Sequence, residues 1–238
     1  MASLPTANKK VFVRDMFDSI APRYDMLNRI LSGGIDQQWR RKAIAMLKDA
    51  APSRILDVAT GTGDLAILAA SLEPDEIVGV DIAEEMLQVG RVNIEKKGLS
   101  RLIKMKSGDA EQLPFSDGAF DAALVAFGVR NFEDLSAGLT DINRVLKPGG
   151  TLVVLEFSRP THFPIKQLYG FYGKYILPTI GKLISGDDAA YTYLPESIEV
   201  FPDGERFLDV MRDSGFTAST QKRLTFGIAS LYSGRASG

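Results

Sequence analysis

The run Arg54-Ile-Leu-Asp-Val-Ala-Thr-Gly-Thr-Gly-Asp64 decides how the rest of the chain is read. Its first half is short, apolar and β-branched, with Pro52-Ser53 before it and glycines after it, which marks a buried strand over 54–58. Gly61 and Gly63 then open a turn, where a residue without Cβ reaches left-handed backbone and lets a ligand come close. Asp64-Leu-Ala-Ile-Leu-Ala-Ala70 continues as a helix whose first N–H groups lack intrahelical partners. The next strand, over 76–80, runs into Asp81. A carboxylate at the tip of the neighbouring parallel strand is positioned to accept hydrogen bonds from both hydroxyls of a ribose. These features together point to a ligand that carries adenosine. Gly61-x-Gly63-x-x-Ala66 also fits the dinucleotide pattern, so the glycine loop alone leaves the choice of adenosine ligand open.

Outward from this unit, strands and helices alternate. A helix is expected over 83–97, then strands over 102–107 and 120–127, a helix over 135–146, and a strand over 151–157. Lys147-Pro148-Gly149-Gly150 reads as a helix stop. This alternation predicts an α/β fold, a doubly wound and mostly parallel sheet. A short helix over 204–214 and two strand-like runs, 215–222 and 224–231, close the chain. Two segments stand outside the pattern. Residues 10–50 form an amphipathic, aromatic helical cap with a break at Pro22 and an end at Ser32-Gly33-Gly34, after which Asp36 is expected to cap a helix over 37–48. Residues 160–202, rich in tyrosine and proline, form an insertion expected to cover a substrate. The whole, 1–238, reads as a single domain.

Composition narrows the chemistry. With 238 residues and 45% hydrophobic content the chain is long enough for a sizeable core. A net charge of −2 argues against broad electrostatic binding to nucleic acid. The absence of cysteine removes disulfides and thiolate nucleophiles, and with one histidine no metal site is expected. No secretory leader and no long apolar run are present, so a cytoplasmic location is expected.

In an open α/β sheet, ligands sit at the carboxyl ends of the strands where the winding reverses. Asp57 falls in the last turn of the first strand, able to face a ligand ammonium, and Thr62 lies in the glycine loop. Asp109 ends the third strand; its carboxylate would accept from the adenine amino group while the Ala110 N–H donates to a ring nitrogen. The ligand outlined by Asp57, Gly61, Thr62, Gly63, Asp81, Asp109 and Ala110 is adenosine with an amino-acid-like cation, and no lysine in the loop serves a phosphate. That favours S-adenosyl-L-methionine over NAD, and no Tyr-x-x-x-Lys relay for hydride chemistry occurs.

Several stretches add a resemblance. Asp57-Val-Ala-Thr-Gly-Thr-Gly-Asp64, Gly79-Val-Asp81, Gly108-Asp-Ala-Glu-Gln-Leu-Pro-Phe115 and Arg144-Val-Leu-Lys-Pro-Gly-Gly150 resemble class I S-adenosylmethionine-dependent methyltransferases. Phe17-Asp-Ser-Ile-Ala-Pro-Arg-Tyr-Asp-Met-Leu-Asn28, Phe127-Gly-Val-Arg-Asn131 and Tyr191-Thr-Tyr-Leu-Pro-Glu-Ser-Ile198 resemble the C-methyltransferases of menaquinone and ubiquinone biosynthesis, over about residues 10 to 230. The resemblance implies a Rossmann-like sheet of seven strands, cofactor contacts at Thr62, Asp81, Asp109 and Ala110, and methylation of demethylmenaquinol to menaquinol. Asp109 stands where the family often has asparagine, and Ala126 where some relatives have serine.

Methyl transfer to a ring carbon needs an ionised quinol. With tyrosine's pKa near 10 as a guide, only about one in a thousand is ionised at pH 7, a cost of roughly 4 kcal/mol. Arg130, after the fourth strand, is the expected catalytic charge, either stabilising the phenolate or orienting a water; the competing reading pairs it with Asp121 or Glu156. His162 is a loop histidine of lesser promise. Tyr24, Tyr191 and Tyr193 are expected to line the site of a prenylated quinol, with Phe17, Tyr169 and Tyr172 nearby in sequence. The run 165–184 mixes lysines with large apolar residues and suits a peripheral contact with the bilayer. A homodimer is compatible with the sequence. Ring methylation of a ubiquinone precursor is the nearest alternative; an NAD-dependent oxidoreductase, a lipid-amine N-methyltransferase and a non-catalytic cofactor-binding module stand further off.

Overall fold

The computed structural model describes residues 9–171 and 188–237, with side chains from 193 onward in the second stretch. The sequence expectations for Tyr172, for the side chain of Tyr191 and for the run beyond residue 171 lie outside the described residues. Seven strands form one sheet: β1 (Arg54–Val58), β2 (Glu76–Asp81), β3 (Ile103–Ser107), β4 (Phe120–Ala126), β5 (Leu146–Phe157), β6 (Phe216–Leu224) and β7 (Ala229–Ala236). Their order is β3-β2-β1-β4-β5-β7-β6. β1 to β5 run parallel, and β7 enters antiparallel between β5 and β6. The winding reverses between β1 and β4, which puts the crevice beside Gly61.

A parallel strand covered on both faces must be apolar throughout. In β1, Ile55, Leu56 and Val58 are fully buried, and the period of two divides them between two layers. Ile55 packs with α3 (Ile35–Ala45), α4 (Asp64–Ala69) and α5 (Glu84–Lys96) through Ile44, Leu65 and Ile94. Leu56 and Val58 face α6 (Leu135–Val145) and a helix over Glu205–Asp213 through Ile142, Leu139, Phe207 and Met211. Gly90 lets α5 approach the glycine loop, since a Cβ there would lie 3.2 Å from the backbone of Thr62 and 3.3 Å from the carbonyl of Gly61.

The N-terminal unit breaks at proline. α1 (Lys9–Ile20) ends before a 3-10 turn, Ala21–Arg23, and α2 (Tyr24–Ser32) restarts and stops at Gly33, whose φ is 59°. Two expectations need correction here. α3 begins at Ile35, so Asp36 lies inside its first turn and makes no cap; its carboxylate instead accepts from Arg29 and from Ser32 Oγ. The closing strands run later than the apolar runs suggest, because the hairpin turn falls at Thr225–Gly227 with Thr225 and Phe226 at positive φ. β5 also starts earlier, at Leu146, which pairs with Phe120. After β5 come α7 (Ile165–Phe171), α8 (Asp188–Val200) and α9 (Glu205–Asp213).

Candidate active site

At the carboxyl ends of β1, β2, β3 and β4 lies a cavity, open on one side. Its floor is made by Gly61, Asp81, Asp109, Ala110 and Gly128, and α1 and α2 roof it with Lys10, Val13, Phe17 and Tyr24. A smaller hollow adjoins it, sharing Tyr24, Ala59, Gly61 and Ala126, and reaching Arg40, Asp57 and Thr62.

Asp81 is held from below. One carboxylate oxygen accepts from the Gly61 N–H at 2.8 Å and the other from the Ala83 N–H at 2.9 Å. The carboxylate keeps acceptor capacity for a further donor. Burial pushes its pKa above the usual carboxylate range, against the pull of these N–H groups. Asp109 accepts from the Glu111 N–H at 2.9 Å and from the Lys10 ammonium at 2.6 Å. Lys10 also reaches Glu111 at 3.0 Å, and these hydrogen bonds outweigh the opposing effect of burial to raise its pKa. Lys9 donates to the carbonyls of Arg130 and Phe132, while burial lowers its pKa. The first turn of α1 therefore clasps the loops after β3 and β4 from above.

The remaining residues expected to bind the cofactor divide. Asp57, 1% exposed, lies in the smaller hollow, accepts from Thr60 Oγ1 at 2.6 Å, and is pushed by burial up to about 7. Thr62 turns to the same hollow and donates to Asp25 at 2.5 Å, and Asn93 bonds both Asp25 and the Thr62 carbonyl. Asp25 belongs to α2, so this network fastens the cap to the glycine loop. Gly63 lines neither space; its φ of +81° makes the turn into α4.

Tyr24 borders both spaces, and burial raises its phenol. Tyr193 is buried, packs its ring at a tilt 5.6 Å from that of Phe12 and donates to Asn131 at 3.1 Å; burial lifts its pKa to about 12. Asn131 itself lines the large cavity. Arg130 sits one layer behind that wall. Its guanidinium donates to Glu156 at 2.9 Å and to the Phe127 carbonyl, and lies 5.4 Å from the Phe157 ring centre. Glu156 is fully buried, and burial raises its pKa although Arg130 opposes the shift. Asp121 is taken by Lys147 and the Arg54 N–H, so of the two carboxylates considered, Glu156 holds Arg130. His162 is exposed beside Thr161.

Sequence reasoning missed the two lysines of α1 and Arg40. Lys9 and Lys10 find their partners about a hundred residues away, which no local pattern announces. Arg40 is 5% exposed on α3, stacked 5.3 Å from the Phe127 ring centre. In an amphipathic helix it reads as part of the solvated face.

A doubly wound sheet with acceptors grouped at its switch point defines the class I S-adenosylmethionine-dependent methyltransferase fold. A SAM-dependent methyltransferase from Thermotoga maritima superposes with a TM-score of 0.63 at 20% identity, covering 94% of this chain and 99% of that one. The [4+2]-cyclase SpnF superposes with a TM-score of 0.64 at 18% identity over 94% of each chain, so the fold alone does not name a reaction. Sequence is more specific. The chain belongs to the ubiE/COQ5 methyltransferase family, whose model matches residues 5–236. It is 53% identical over 221 residues to a demethylmenaquinone methyltransferase of Bacteroides fragilis, covering 92% of this chain and 90% of the relative. A demethylmenaquinone methyltransferase of Deinococcus radiodurans is 49% identical, covering 93% and 91%. The ubiquinone/menaquinone biosynthesis C-methyltransferase UbiE of Geotalea daltonii is 46% identical, covering 93% and 95%.

Proposed function

We propose that this chain transfers a methyl group from S-adenosyl-L-methionine to a ring carbon of demethylmenaquinol, forming menaquinol. One observation carries the reading: Asp81 and Asp109, on adjacent strand tips, border a single cavity beside Gly61. The donor set suits such a cofactor. Asp81 keeps lone pairs for ribose hydroxyls, Asp109 for an adenine amino group, and Asp57 waits where the glycine loop leads. Lys10, the cation over the large cavity, is engaged by two carboxylates and offers little to a pyrophosphate. Asp57 and Asp64 in the smaller hollow oppose a phosphate further.

When bound, S-adenosylmethionine supplies an electrophilic methyl group on a sulfonium. The chain's part is to place an electron-rich carbon in line and keep the ring ionised. Arg130 is assigned the fixed positive charge that favours a phenolate, acting from behind Asn131, with the released proton passing to water at the open mouth. Glu156 and the Phe127 carbonyl keep that charge in place. Tyr24 and the Tyr193–Asn131 pair are assigned to the quinol ring, and 10–50 and 160–202 to the walls around its tail. Phe163, Leu168 and Phe171 expose large apolar surfaces beside Lys166, which supports a peripheral contact with a bilayer; among the described residues no helix is long and apolar enough to cross one.

Purified protein incubated with S-adenosylmethionine and a reduced short-chain demethylmenaquinone should yield a product heavier by one methylene. No methylation of that quinol, with turnover of a demethylated ubiquinol precursor instead, would move the assignment to the other ring.

A further inference from the structure

We propose that Phe127 is a positioning residue for methyl transfer: its left-handed backbone turns a carbonyl onto Arg130, and its buried ring holds the backbone in that state. The inference rests on the role assigned to Arg130 above and extends it to the residue that keeps that charge in place.

The starting observation is a backbone conformation unsuited to its residue type. Phe127 follows β4 directly and has a φ of +60°. A Cβ crowds its own main chain there, so glycine is the usual occupant. The glycine of this turn stands one place later, at Gly128, whose φ is −108°. It is needed there for another reason, since a Cβ at Gly128 would lie 2.6 Å from that of Ala59. A turn that had only to reverse the chain would be better served by glycine at 127, and a bulky residue held in this region points to a use for its side chain.

The carbonyl shows what the left-handed state achieves. The Phe127 N–H stays in the sheet and donates to the Leu155 carbonyl at 2.7 Å. Its C=O leaves the sheet and accepts from Arg130 Nη1 and from Asn131 Nδ2 at 3.3 Å. Glu156 holds the same nitrogen of Arg130, whose Nε is buried without a partner among the described residues. Without the carbonyl, a hold through one nitrogen lets the guanidinium pivot. The ring, 8% exposed, accounts for phenylalanine at this place. It packs 4.5 Å from Phe157, the ring over which the Arg130 guanidinium lies at 5.4 Å. Trp39 and the Arg40 guanidinium close it from α3, at 6.3 Å and 5.3 Å. One residue therefore meets Arg130 twice, directly through its carbonyl and indirectly through Phe157.

Single-turnover methyl transfer to a reduced short-chain demethylmenaquinone, followed across pH, separates this role from that of a packed turn. Phe127→Leu keeps most of the bulk without the ring, and Phe127→Gly permits the left-handed state without holding it; Phe127→Met stands in should leucine cost the fold. Each should slow transfer about tenfold or more while the Kd for S-adenosylhomocysteine stays within about threefold of wild type. A charge that is held less firmly leaves the bound quinol harder to ionise, so the rising limb of the pH–rate profile should move to higher pH. Phe127→Tyr, which keeps the ring, should restore most of the rate. In an Arg130→Gln background the leucine substitution should slow transfer by less than about twofold, because it acts through that side chain. Wild-type rates in the leucine and glycine variants, a slower rate with an unmoved pH profile, or full additivity with Arg130→Gln would overturn the proposal. Wild-type protein that does not methylate the quinol would instead overturn the function proposed above, and this proposal with it.

Discussion

Replacing Glu156 with glutamine tests whether Arg130 is held as a buried ion. The carboxylate is fully buried and accepts three hydrogen bonds: from Arg130 Nη1 at 2.9 Å, from the Arg130 N–H at 3.3 Å and from the Phe157 N–H at 2.8 Å. Glutamine keeps one oxygen acceptor but not the charge. Breaking a buried pair leaves the other ion uncompensated, at roughly 3–5 kcal/mol, and the retained oxygen argues for the lower end. For a chain of this size each kcal/mol moves Tm by about 2–4 °C, so the midpoint should fall by roughly 6–12 °C. Substituting both partners with apolar residues, Arg130→Met with Glu156→Leu, removes both desolvated charges and should recover most of that loss. Methyl transfer should nonetheless stay low in the double variant, because the fixed charge is gone. Thermal unfolding followed by circular dichroism, alongside S-adenosylhomocysteine titration, measures both effects. A Glu156→Gln midpoint within about 2 °C of wild type, or a double variant no more stable than the single one, would refute the reasoning.

Other outcomes follow from the site. Asp57 has a folded pKa raised to about 7, so its contribution to stability is present below the unfolded value near 4 and lost as pH rises through 7. Wild type should therefore lose stability relative to Asp57→Asn across that interval while gaining affinity for S-adenosylhomocysteine, and parallel melting curves for the two proteins would contradict this. Asp81→Ala removes the acceptor assigned to the ribose and frees the Gly61 and Ala83 N–H groups; titration should give a Kd about 100-fold weaker or more. Lys10→Met cuts partly exposed ion pairs to Asp109 and Glu111, so S-adenosylhomocysteine should leave only about two- to tenfold faster in stopped-flow. Wild-type release should also quicken with added salt while the variant's does not.

The parallel half of the fold was legible because burial on both faces forces unbroken apolar runs, as in Ile77–Val80 and in Ala122–Val125. The antiparallel edge was not. β6 is buried only at its ends, Phe216 and Leu224, and its turn uses Phe226 at positive φ, where sequence rules look for glycine. In the site, the strand-tip aspartates could be read because their position follows from topology. Thr62 could be located in the loop but not aimed, since its hydroxyl is claimed by Asp25 from the cap. Arg130 could be placed after β4, but its attachment to Glu156 depends on β4 and β5 lying side by side. Arg40 and Lys10 act across long separations, and their significance lies in what they do or do not meet there.

The roof formed by α1 and α2 also has a consequence in time. Those helices leave the ribosome before any strand of the sheet exists, so the apolar face carrying Val13, Met16 and Leu27 must wait for its support. The pocket is finished only when these earlier-made helices dock on the later-made tips of β2, β3 and β4. Assembly of the sheet and acquisition of ligand binding are thus separate events, and a refolding protein should regain its strands before it regains its grip.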